Sequence, residues 1–590
     1  MKSNTVNRIR FVLFSIVFFA IILVGKLYFV QIIHGNLYSS KADRQYVSPN
    51  ITVFNRGGIF FTTKNSTHIG AATVKNGFLV AVDPKKIKNA DSAYASLVSI
   101  INTSTTTSSE LSALPGKAQF IARATKANDS YEEIIKKIDD ATGMSISAAK
   151  IPGISVYKNN WRYYPGGTMA SQVIGITGQS ASTSPTASTT IQGRYGLERY
   201  YESTLARATD VSYTNFFAEL FADIKGSVFN GDSLEGDVIT TIDPTVQNYL
   251  ETTLQKTAQT WKPDEIGAVI IDPNTGEIYG IAHLPSFNPN NLASVSNPKI
   301  FSNPLVENLY EMGSIIKPLT MAAGLDSGAI TPTSTYDDTG TLSLNGKKIS
   351  NYDLKARGVI PMQQILSQSL NVGAAYIALK TGNPTFTKYF LSYGLASTTG
   401  IDLPNEQKGN VANLFVNRDL EHATASFGQG IAMTPLATAR ALSVLANGGM
   451  LIHPHLANEI DYTIGTTKAI NSDPGVRVLK KQTTDQVTQM LVQVVDKTIA
   501  PAHPNLRIDR YSIAAKTGTA QIADHVNGGY YSDRYLHSFF GYFPAYHPKF
   551  LIFMYQVWPK GAEYASATLT DPFADLVKFL VSYYEIPPDR

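Results

Sequence analysis

The chain has 590 residues, which exceeds the size of a single hydrophobic core and predicts roughly two to four domains. Its formal charge of +4 is small, 43% of its residues are hydrophobic, and no long basic run indicates a nucleic-acid partner. The absence of cysteine excludes disulfides, thiolate metal sites and cysteine nucleophiles.

The N-terminus predicts a membrane anchor. Residues 1–10 carry Lys2, Arg8 and Arg10 and no acidic residue, and a largely apolar run follows at residues 11–33. As a helix this run would be about 35 Å long at 1.5 Å per residue, enough to cross a bilayer. The basic residues keep the short tail in the cytoplasm, which places the chain after residue 34 outside. A cleaved signal peptide is the alternative, but no Ala-x-Ala-like cleavage site follows the run.

Residues 45–235 are Ser/Thr-rich and irregular, and they predict a non-catalytic scaffold or spacer domain. Gly77 to Val82 predicts a short strand. Ser130 to Ala141 begins with a capping-box pattern and predicts a helix, whereas Ser180 to Thr190 predicts a flexible loop. We find no metal-ligand spacing and no paired carboxylates in this half of the sequence.

Residues 236–590 have the regular patterning of a domain that mixes helices and strands. The strands predicted at both ends of this segment, with helices between them, indicate one antiparallel sheet closed by distant parts of the chain, an α/β (α+β) fold. The final helix is expected to begin at Asp571-Pro572. The other predicted elements are a helix from Pro244 to about Thr260, a hairpin of 266–271 with 277–282, helices at 435–446 and 484–495, and strands at 538–543 and 550–558.

Ser314 and Lys317 form a Ser-x-x-Lys motif where a loop turns into a predicted helix. Three residues is about one helical turn, so the amine would lie close to the hydroxyl. A lysine can act as the base for a serine nucleophile only when burial or a neighbouring charge keeps its amine neutral. The same spacing also occurs by chance at Ser147, Ser155 and Ser296, so the motif needs support from the rest of the chain.

Two further motifs supply that support. Ser369 and Asn371 lie in a predicted turn between two apolar helical stretches, where a hydroxyl and a carboxamide would face one cleft. The segment Lys516-Thr517-Gly518-Thr519 follows a strand-like run, and Gly518 would let a substrate backbone approach the strand closely. Similar triplets at Lys380 and Ser343 are better explained as a helix end and a hairpin turn.

The order of these three motifs resembles that of the serine penicillin-recognising enzymes. The resemblance extends over nearly the whole chain and is to the class B penicillin-binding proteins, with their penicillin-binding transpeptidase fold and N-terminal pedestal domain. It is carried by Arg56-Gly57-Gly58-Ile59, Tyr164-Pro165-Gly166-Gly167, Gly196-Leu197-Glu198-Arg199, residues 266–290, Tyr310-Glu311-Met312-Gly313, Phe427-Gly428-Gln429-Gly430 and Ala446-Asn447-Gly448-Gly449. The implied domains are a tail at 1–10, an anchor at 11–33, a pedestal at 45–235 and a transpeptidase domain at 236–590.

The resemblance implies a D,D-transpeptidase that cross-links peptidoglycan and is a target of β-lactams. Ser314 would attack the carbonyl between the two terminal D-alanines of a stem peptide and become acylated, while Lys317 takes its proton. Ser369 would relay a proton to the leaving D-alanine, and Asn371 would hold the peptide. No metal and no organic cofactor is implied.

The resemblance also assigns the substrate-binding strand. Lys516 and the hydroxyls of Thr517 and Thr519 would bind the terminal carboxylate, and Gly518 would keep the strand open to the substrate. The backbone N–H groups of Ser314 and Thr519 would form the oxyanion hole. An amine of a neighbouring stem peptide would then take the acyl group.

Several departures and open alternatives remain. Phe60 to Asn65 replaces the usual Asp-Arg-Asn-Gly-like turn, and the segment after Leu205 is unusual, which bears on partner contacts. No glycosyltransferase motif is present, so a separate membrane glycosyltransferase and other wall-synthesis proteins are the implied partners. Asn371 followed by Val372-Gly373 favours a septal, cell-division role over elongation. A β-lactamase or β-lactam sensor and an inactive wall-complex scaffold are the alternatives.

Overall fold

The computed structural model describes residue 26 and residues 54–103, 114–127, 129–179, 191–207, 235–470, 474–524 and 526–590. The predicted anchor at 11–33, apart from residue 26, and the predicted loop from Ser180 to Thr190 lie outside these described residues. Within the described ranges, no helix is both long enough and apolar enough to span a membrane.

Twenty strands are described. In chain order they are β1 Ile59–Thr62, β2 His68–Val82, β3 Glu132–Ile138, β4 Ile154–Tyr163, β5 Thr177–Gln179, β6 Ile191–Gly193, β7 Gly236–Thr240, β8 Glu265–Ile271, β9 Ile278–Leu284, β10 Thr335–Asp338, β11 Thr341–Leu344, β12 Lys347–Ser350, β13 Gly358–Pro361, β14 Met450–Leu451, β15 Ala457–Tyr462, β16 Thr467–Ala469, β17 Val476–Arg477, β18 Ala514–Ala523, β19 Tyr530–Phe543 and β20 Phe550–Val557.

Seventeen α-helices are described between and around these strands. They are α1 Ala90–Thr103, α2 Lys117–Ala124, α3 Asp140–Ala148, α4 Ser171–Ile174, α5 Gly196–Tyr200, α6 Glu202–Leu205, α7 Pro244–Trp261, α8 Pro304–Glu307, α9 Lys317–Asp326, α10 Met362–Ser367, α11 Asn371–Thr381, α12 Asn383–Ser392, α13 Asp419–Ala425, α14 Pro435–Ala446, α15 Lys481–Val494, α16 Ala500–Ala502 and α17 Ala565–Tyr583. Short 3₁₀ turns include Gly313–Ile316, and a π-helical turn, Val495–Ile499, follows α15.

The sheet that carries the candidate site has five antiparallel strands in the order β18-β19-β20-β8-β9. Helices cover both of its faces. Gly541 of β19 faces Phe573 of α17, whereas the adjacent Tyr542 hydrogen-bonds Thr488 of α15 at 2.7 Å, because neighbouring side chains in a strand point in opposite directions. Burial on both faces explains why β20 is almost continuously apolar.

The predicted antiparallel sheet closed by distant segments is therefore confirmed. The hairpin β8–β9 pairs through β20 with strands that lie near the C-terminus of the chain. The predicted helix at 435–446 is α14, and the one at 484–495 is α15. Helix α7 begins as the sequence predicts, because the Asp243 side chain accepts the N–H of Thr245 at 2.8 Å and Pro244 occupies the first turn.

The predicted helix from Ser130 to Ala141 is wrong. Most of that segment is strand β3, which pairs antiparallel with β2, and helix α3 begins only at Asp140. The capping-box pattern at Ser130 suggested a helix, but Ile134, Ile135 and Ile138 gain more by burial in the core beneath the sheet. Tertiary packing overrides a local capping signal here.

The predicted start of the final helix is also wrong. Helix α17 begins at Ala565, and Pro572 lies inside it rather than at its first turn. Phe573, Leu576, Val577 and Leu580 are buried on one face of this helix. The residues before Pro572 are helical because Ala565, Thr568 and Leu569 are also fully buried against the sheet, which offsets the hydrogen bond that a proline cannot donate.

A second sheet of seven strands joins both halves of the chain. Its order is β16-β15-β7-β1-β2-β3, with β4 pairing on β2, so strands from either side of residue 235 lie in one sheet. The predicted domain boundary near 235 stays a prediction. Beneath this sheet the fully buried carboxylate of Glu198 accepts from Arg56 Nε at 2.6 Å and Arg162 Nε at 2.5 Å.

Candidate active site

Ser314 and Lys317 lie on either side of the junction between a 3₁₀ turn and an α-helix. Ser314 belongs to the turn Gly313–Ile316, and Lys317 is the first residue of α9. Gly313 has a φ of 66°, and a Cβ at this position would come within 2.8 Å of the carbonyl oxygen of Thr519. A side chain would therefore separate the turn from β18. The Lys317 amine lies 2.9 Å from Ser314 Oγ, within hydrogen-bonding distance.

Ser369 lies in the predicted turn between α10 and α11, and Asn371 is the first residue of α11. Ser369 adopts a φ of 55°, in the left-handed region that non-glycine residues rarely occupy, which indicates a local constraint. This backbone conformation accompanies two contacts with Lys317, whose amine lies 2.5 Å from the Ser369 carbonyl oxygen and 3.1 Å from its hydroxyl. The Asn371 side chain lines the cleft and donates to the carbonyl of Ser350 at 3.0 Å.

The third motif lies on β18, one of the two edge strands of the five-stranded sheet. The Lys516 amine is 3.1 Å from Ser369 Oγ and donates to the carbonyl of Thr517 at 2.9 Å. Gly518 packs against the turn that carries Ser314, since an added Cβ would lie 2.8 Å from the Met312 carbonyl oxygen. The motif therefore lies within the strand, rather than after a strand at 511–515 as the sequence suggested.

Burial dominates the electrostatics of the two lysines. Both are almost completely buried, at 1% exposure for Lys317 and 2% for Lys516. Loss of hydration lowers the pKa of Lys317 well below its ordinary value, and the neighbouring charge of Lys516 lowers it further. Burial also lowers the pKa of Lys516 to about 7. The condition for a neutral amine beside the serine hydroxyl is therefore met.

These side chains lie at one open cleft with a volume of about 1130 Å³. Ser314, Ser369, Asn371, Lys516, Thr517 and Thr519 line it, whereas Lys317 and Gly518 lie behind its surface. The structure thus brings together all eight residues that the sequence singled out. Among the described residues, no group of three His, Asp or Glu side chains has the arrangement of a metal site.

The sequence assigned no role to three further residues: Glu311, which contacts two residues of the cleft lining, and Tyr352 and Tyr564, which line the cleft themselves. Glu311 accepts the N–H of Gly430 at 3.1 Å and the hydroxyl of Tyr530 at 2.9 Å, which ties the β18–β19 hairpin to the loop after α13. Tyr352 and Tyr564 line the cleft wall, with ring centroids 6.1 Å apart. Glu311 could have been noticed because it stands three residues before Ser314, but the tyrosines follow no motif.

The arrangement suits acyl transfer. It contains a serine hydroxyl, a neutral amine within reach of it, and a second hydroxyl that connects this amine to another lysine. An activated serine of this kind can form a covalent acyl intermediate. The cationic form of Lys516 beside Thr517 and Thr519 on an edge strand can bind a carboxylate.

Two family models match the sequence. One, described as the penicillin binding protein transpeptidase domain, matches residues 266–578. The other, described as the penicillin-binding protein dimerisation domain, matches residues 63–219. The first alone covers more than half of the chain and includes every residue of the candidate active site.

Similar proteins extend the match to almost the full length. Stage V sporulation protein D of Bacillus subtilis strain 168 is 28% identical over 581 residues, covering 96% of this chain and 84% of that protein. Peptidoglycan D,D-transpeptidase FtsI of Escherichia coli K12 is 25% identical over 578 residues, covering 96% and 90%.

Solved structures show the same fold. Penicillin binding protein 2X of Streptococcus thermophilus aligns with a TM-score of 0.70 and 19% identity, over 90% of this chain and 80% of that one. Penicillin binding protein 3 of Mycobacterium tuberculosis aligns with a TM-score of 0.63 and 25% identity, over 73% of this chain and 92% of that one.

Proposed function

This chain belongs to the class B penicillin-binding proteins, and we propose that it is a peptidoglycan D,D-transpeptidase that works through an acyl-enzyme on Ser314. The observation that carries the assignment is the Lys317 amine, which is buried, has a lowered pKa, and lies 2.9 Å from Ser314 Oγ. No carboxylate of the described residues pairs with the buried Lys317 amine. Because burying a lysine cation without such a partner is costly, a purely structural role does not explain this position.

In the acylation step, Ser314 Oγ attacks the carbonyl carbon of the bond between the two terminal D-alanines of a stem peptide. The hydroxyl proton passes to the neutral Lys317 amine. The backbone N–H groups of Ser314 and Thr519 stabilise the negative charge on the carbonyl oxygen. When the C–N bond breaks, the departing D-alanine takes a proton through the hydroxyl of Ser369, which lies 3.1 Å from both lysine amines.

Lys516, Thr517 and Thr519 bind the terminal carboxylate of the stem peptide. A protonated amine and hydroxyl donors are the groups that recognise a carboxylate in a partly desolvated cleft. Asn371 holds the peptide amide of the donor, and Gly518, which has no Cβ, lets β18 pack closely against the turn that carries Ser314. In the second step, the amine of a neighbouring stem peptide attacks the acyl carbon and gives a proton to the neutral Lys317 amine. Lys317 passes a proton to Ser314 Oγ as the bond between this oxygen and the acyl carbon breaks, and the cross-link is formed.

A β-lactam reacts in the same way, because its ring amide takes the place of the D-alanyl-D-alanine bond. Opening of the ring leaves the acyl group on Ser314. Because the ring nitrogen stays attached to that acyl group, no leaving group departs to make room for the acceptor amine, and the acyl-enzyme persists. Labelling by a fluorescent penicillin therefore tests the assignment. Label is expected on the wild-type chain and not on Ser314→Ala; an unlabelled wild type would overturn the enzyme assignment, and a labelled mutant would overturn the choice of nucleophile.

We further propose that the enzyme serves septal wall synthesis. The relatives named FtsI and stage V sporulation protein D and the Asn371-Val372-Gly373 sequence favour this role. We propose that residues 11–33 anchor the chain in the cell membrane with the catalytic domain outside, and that a membrane glycosyltransferase supplies the glycan strands. A fluorescent fusion should gather at the division site, and uniform labelling of the side wall would contradict the septal role.

A further inference from the structure

His537 is a buried histidine on β19, the strand that pairs with the substrate-binding strand β18. It pairs with Thr519 in the register between β19 and β18. Directly opposed residues of an antiparallel pair place their side chains on the same face of the sheet. On that face, helix α17 begins, and the N–H of its first residue, Ala565, donates to Thr519 Oγ1 at 3.1 Å. This bond uses only a lone pair of the Thr519 hydroxyl, which leaves the hydroxyl proton available for donation to a substrate.

Both nitrogens of the His537 ring have partners. Nε2 lies 3.0 Å from the carbonyl oxygen of Glu563, and Nδ1 lies 2.9 Å from Thr568 Oγ1. A carbonyl oxygen can only accept, so Nε2 carries the proton and Nδ1 accepts from the threonine hydroxyl. Burial lowers the pKa of His537 to about 4, which keeps the ring neutral near neutral pH.

These two bonds hold the junction between β20 and α17 at both ends. Glu563 is the second residue before α17, and Thr568 lies in its first turn. Between them, Ala565 donates to Thr519, and Glu563, Tyr564 and Ala565 all line the cleft. The imidazole therefore connects the position of the cleft wall to the position of the Thr519 hydroxyl.

We propose that His537 is a positioning residue of the transpeptidase, which holds the Glu563–Ala565 junction so that the Thr519 hydroxyl is aimed at the terminal carboxylate of the substrate. The proposal rests on the proposed function, because it assigns His537 a part in substrate binding through Thr519. If His537 served only in packing, the acylation rate of its variants would fall in proportion to their loss of stability.

The test compares acylation rates of full-length variants by a fluorescent penicillin, with thermal unfolding measured on the same samples. His537→Ala should lower the second-order acylation rate about tenfold, the equivalent of one displaced hydrogen bond of about 1.4 kcal/mol. His537→Gln should recover the rate to within about threefold, because its side-chain amide can donate to the Glu563 carbonyl in place of Nε2.

Two further variants keep the test decisive. Val577→Ala removes buried methyl groups from α17 away from the cleft; it should unfold at a lower temperature and yet acylate at the wild-type rate. Thr568→Val removes only the hydroxyl that donates to Nδ1, and should slow acylation even if His537→Ala does not fold.

Three results would overturn the positioning role. The first is a wild-type acylation rate in both His537→Ala and Thr568→Val, and the second is a failure of His537→Gln to recover the rate. The third is a loss of acylation rate in Val577→Ala equal to that in His537→Ala. If the wild type itself were not labelled, the proposed function would fail instead.

Discussion

Lys317 and Lys516 share one hydroxyl: each amine lies 3.1 Å from Ser369 Oγ. Two ammonium groups cannot both remain charged at this separation in a buried site, so one of the pair is neutral in the working enzyme. The pKa of Lys317 is lowered both by burial and by the charge of Lys516. Lys317 is therefore the neutral base, and Lys516 is the cation that meets the substrate carboxylate.

The first prediction is a bell-shaped dependence of acylation on pH. The rate should rise with pH as the lysine pair loses its first proton and Lys317 becomes neutral. It should fall again as the second proton leaves and the cation at Lys516 is lost, near the pKa of about 7 that burial gives that residue. The two apparent pKa values belong to the pair. Acylation rates measured between about pH 5 and pH 9 would check this.

Lys516→Arg is the matched control for this profile. An arginine stays charged throughout that range, so the variant should be slower overall but should lose the alkaline decline. An alkaline decline that persists unchanged in Lys516→Arg would show that Lys516 is not the group responsible. A flat profile in the wild type would contradict the assignment of the pair.

The second prediction is that Lys516→Met is inactive but more stable than the wild type. The pKa of Lys516 is lowered to about 7 from 10.5, so at pH 7 the unfolded chain binds a proton more readily than the folded chain does. Removal of this buried amine should stabilise the fold by about 1–4 kcal/mol at pH 7. The stabilisation should shrink as pH rises towards 10.5, because the lysine is then neutral in the unfolded chain too.

Thermal unfolding of both proteins at several pH values measures this difference. Lys481→Met is a suitable comparison, because Lys481 is exposed and forms an ion pair with the exposed Asp485. That change should leave stability within about 0.5 kcal/mol. A Lys516→Met protein less stable than the wild type at pH 7 would show that the amine's hydrogen bonds outweigh its desolvation.

The candidate site was predictable because short-range chemistry dictates it. Ser314 and Lys317 need only one helical turn to meet, and the Lys516 motif needs only a strand with a glycine for close approach. The family resemblance predicted that three motifs far apart in the sequence meet in one site. Spacing alone could not have shown that Ser369 contacts both amines, because that contact depends on a left-handed backbone at one residue.

The misassigned elements have a different cause. The segment from Ser130 is a strand because β2 offers it a partner, and a local pattern carries no information about that partner. Pro572 was expected to start a helix, but buried side chains before it extend α17 backwards. His537 has no motif at all, and its role emerges only from the register that places it opposite Thr519.

The third prediction concerns Gly518. An alanine there would place its Cβ 2.3 Å from Ser538 Oγ and 2.8 Å from the Met312 carbonyl oxygen, closer than real contacts allow. Ser538 itself donates to that carbonyl at 2.8 Å, so it cannot move away freely. Gly518→Ala should push β18 away from the Ser314 turn, lower stability by about 1–3 kcal/mol and slow acylation at least roughly tenfold.

Gly116→Ala is the control for this change. No atom lies within 4 Å of a Cβ at Gly116, and its φ of −56° suits any residue. This variant should keep the wild-type acylation rate. It should lose less stability than Gly518→Ala, because its only structural change is at the exposed N-cap of α2, where alanine is less favourable than glycine. Both variants should be measured by thermal unfolding and by penicillin labelling, and wild-type labelling of Gly518→Ala would contradict the close contact between β18 and the nucleophile turn.

The fourth prediction concerns the buried ion cluster beneath the seven-stranded sheet. Glu198 is fully buried and pairs with both Arg56 and Arg162, whereas Glu202, which also pairs with Arg56, is 33% exposed at its side chain. Glu198→Gln removes the carboxylate that both buried guanidinium groups share, and should lower the free energy of unfolding by roughly 3–5 kcal/mol. Glu202→Gln should cost about 1 kcal/mol or less, because solvent screens the exposed partner.

Chemical unfolding of the two glutamine variants distinguishes these effects, since both replace a carboxylate by an amide of the same shape. The loss in Glu198→Gln should greatly exceed the loss in Glu202→Gln. Equal losses would show that the cluster acts as ordinary hydrogen bonds rather than as paired buried charges. Arg56 and Arg162, the two arginines that Glu198 binds, do not line the Ser314 cleft. Any Glu198→Gln protein that stays folded should therefore still be labelled by penicillin.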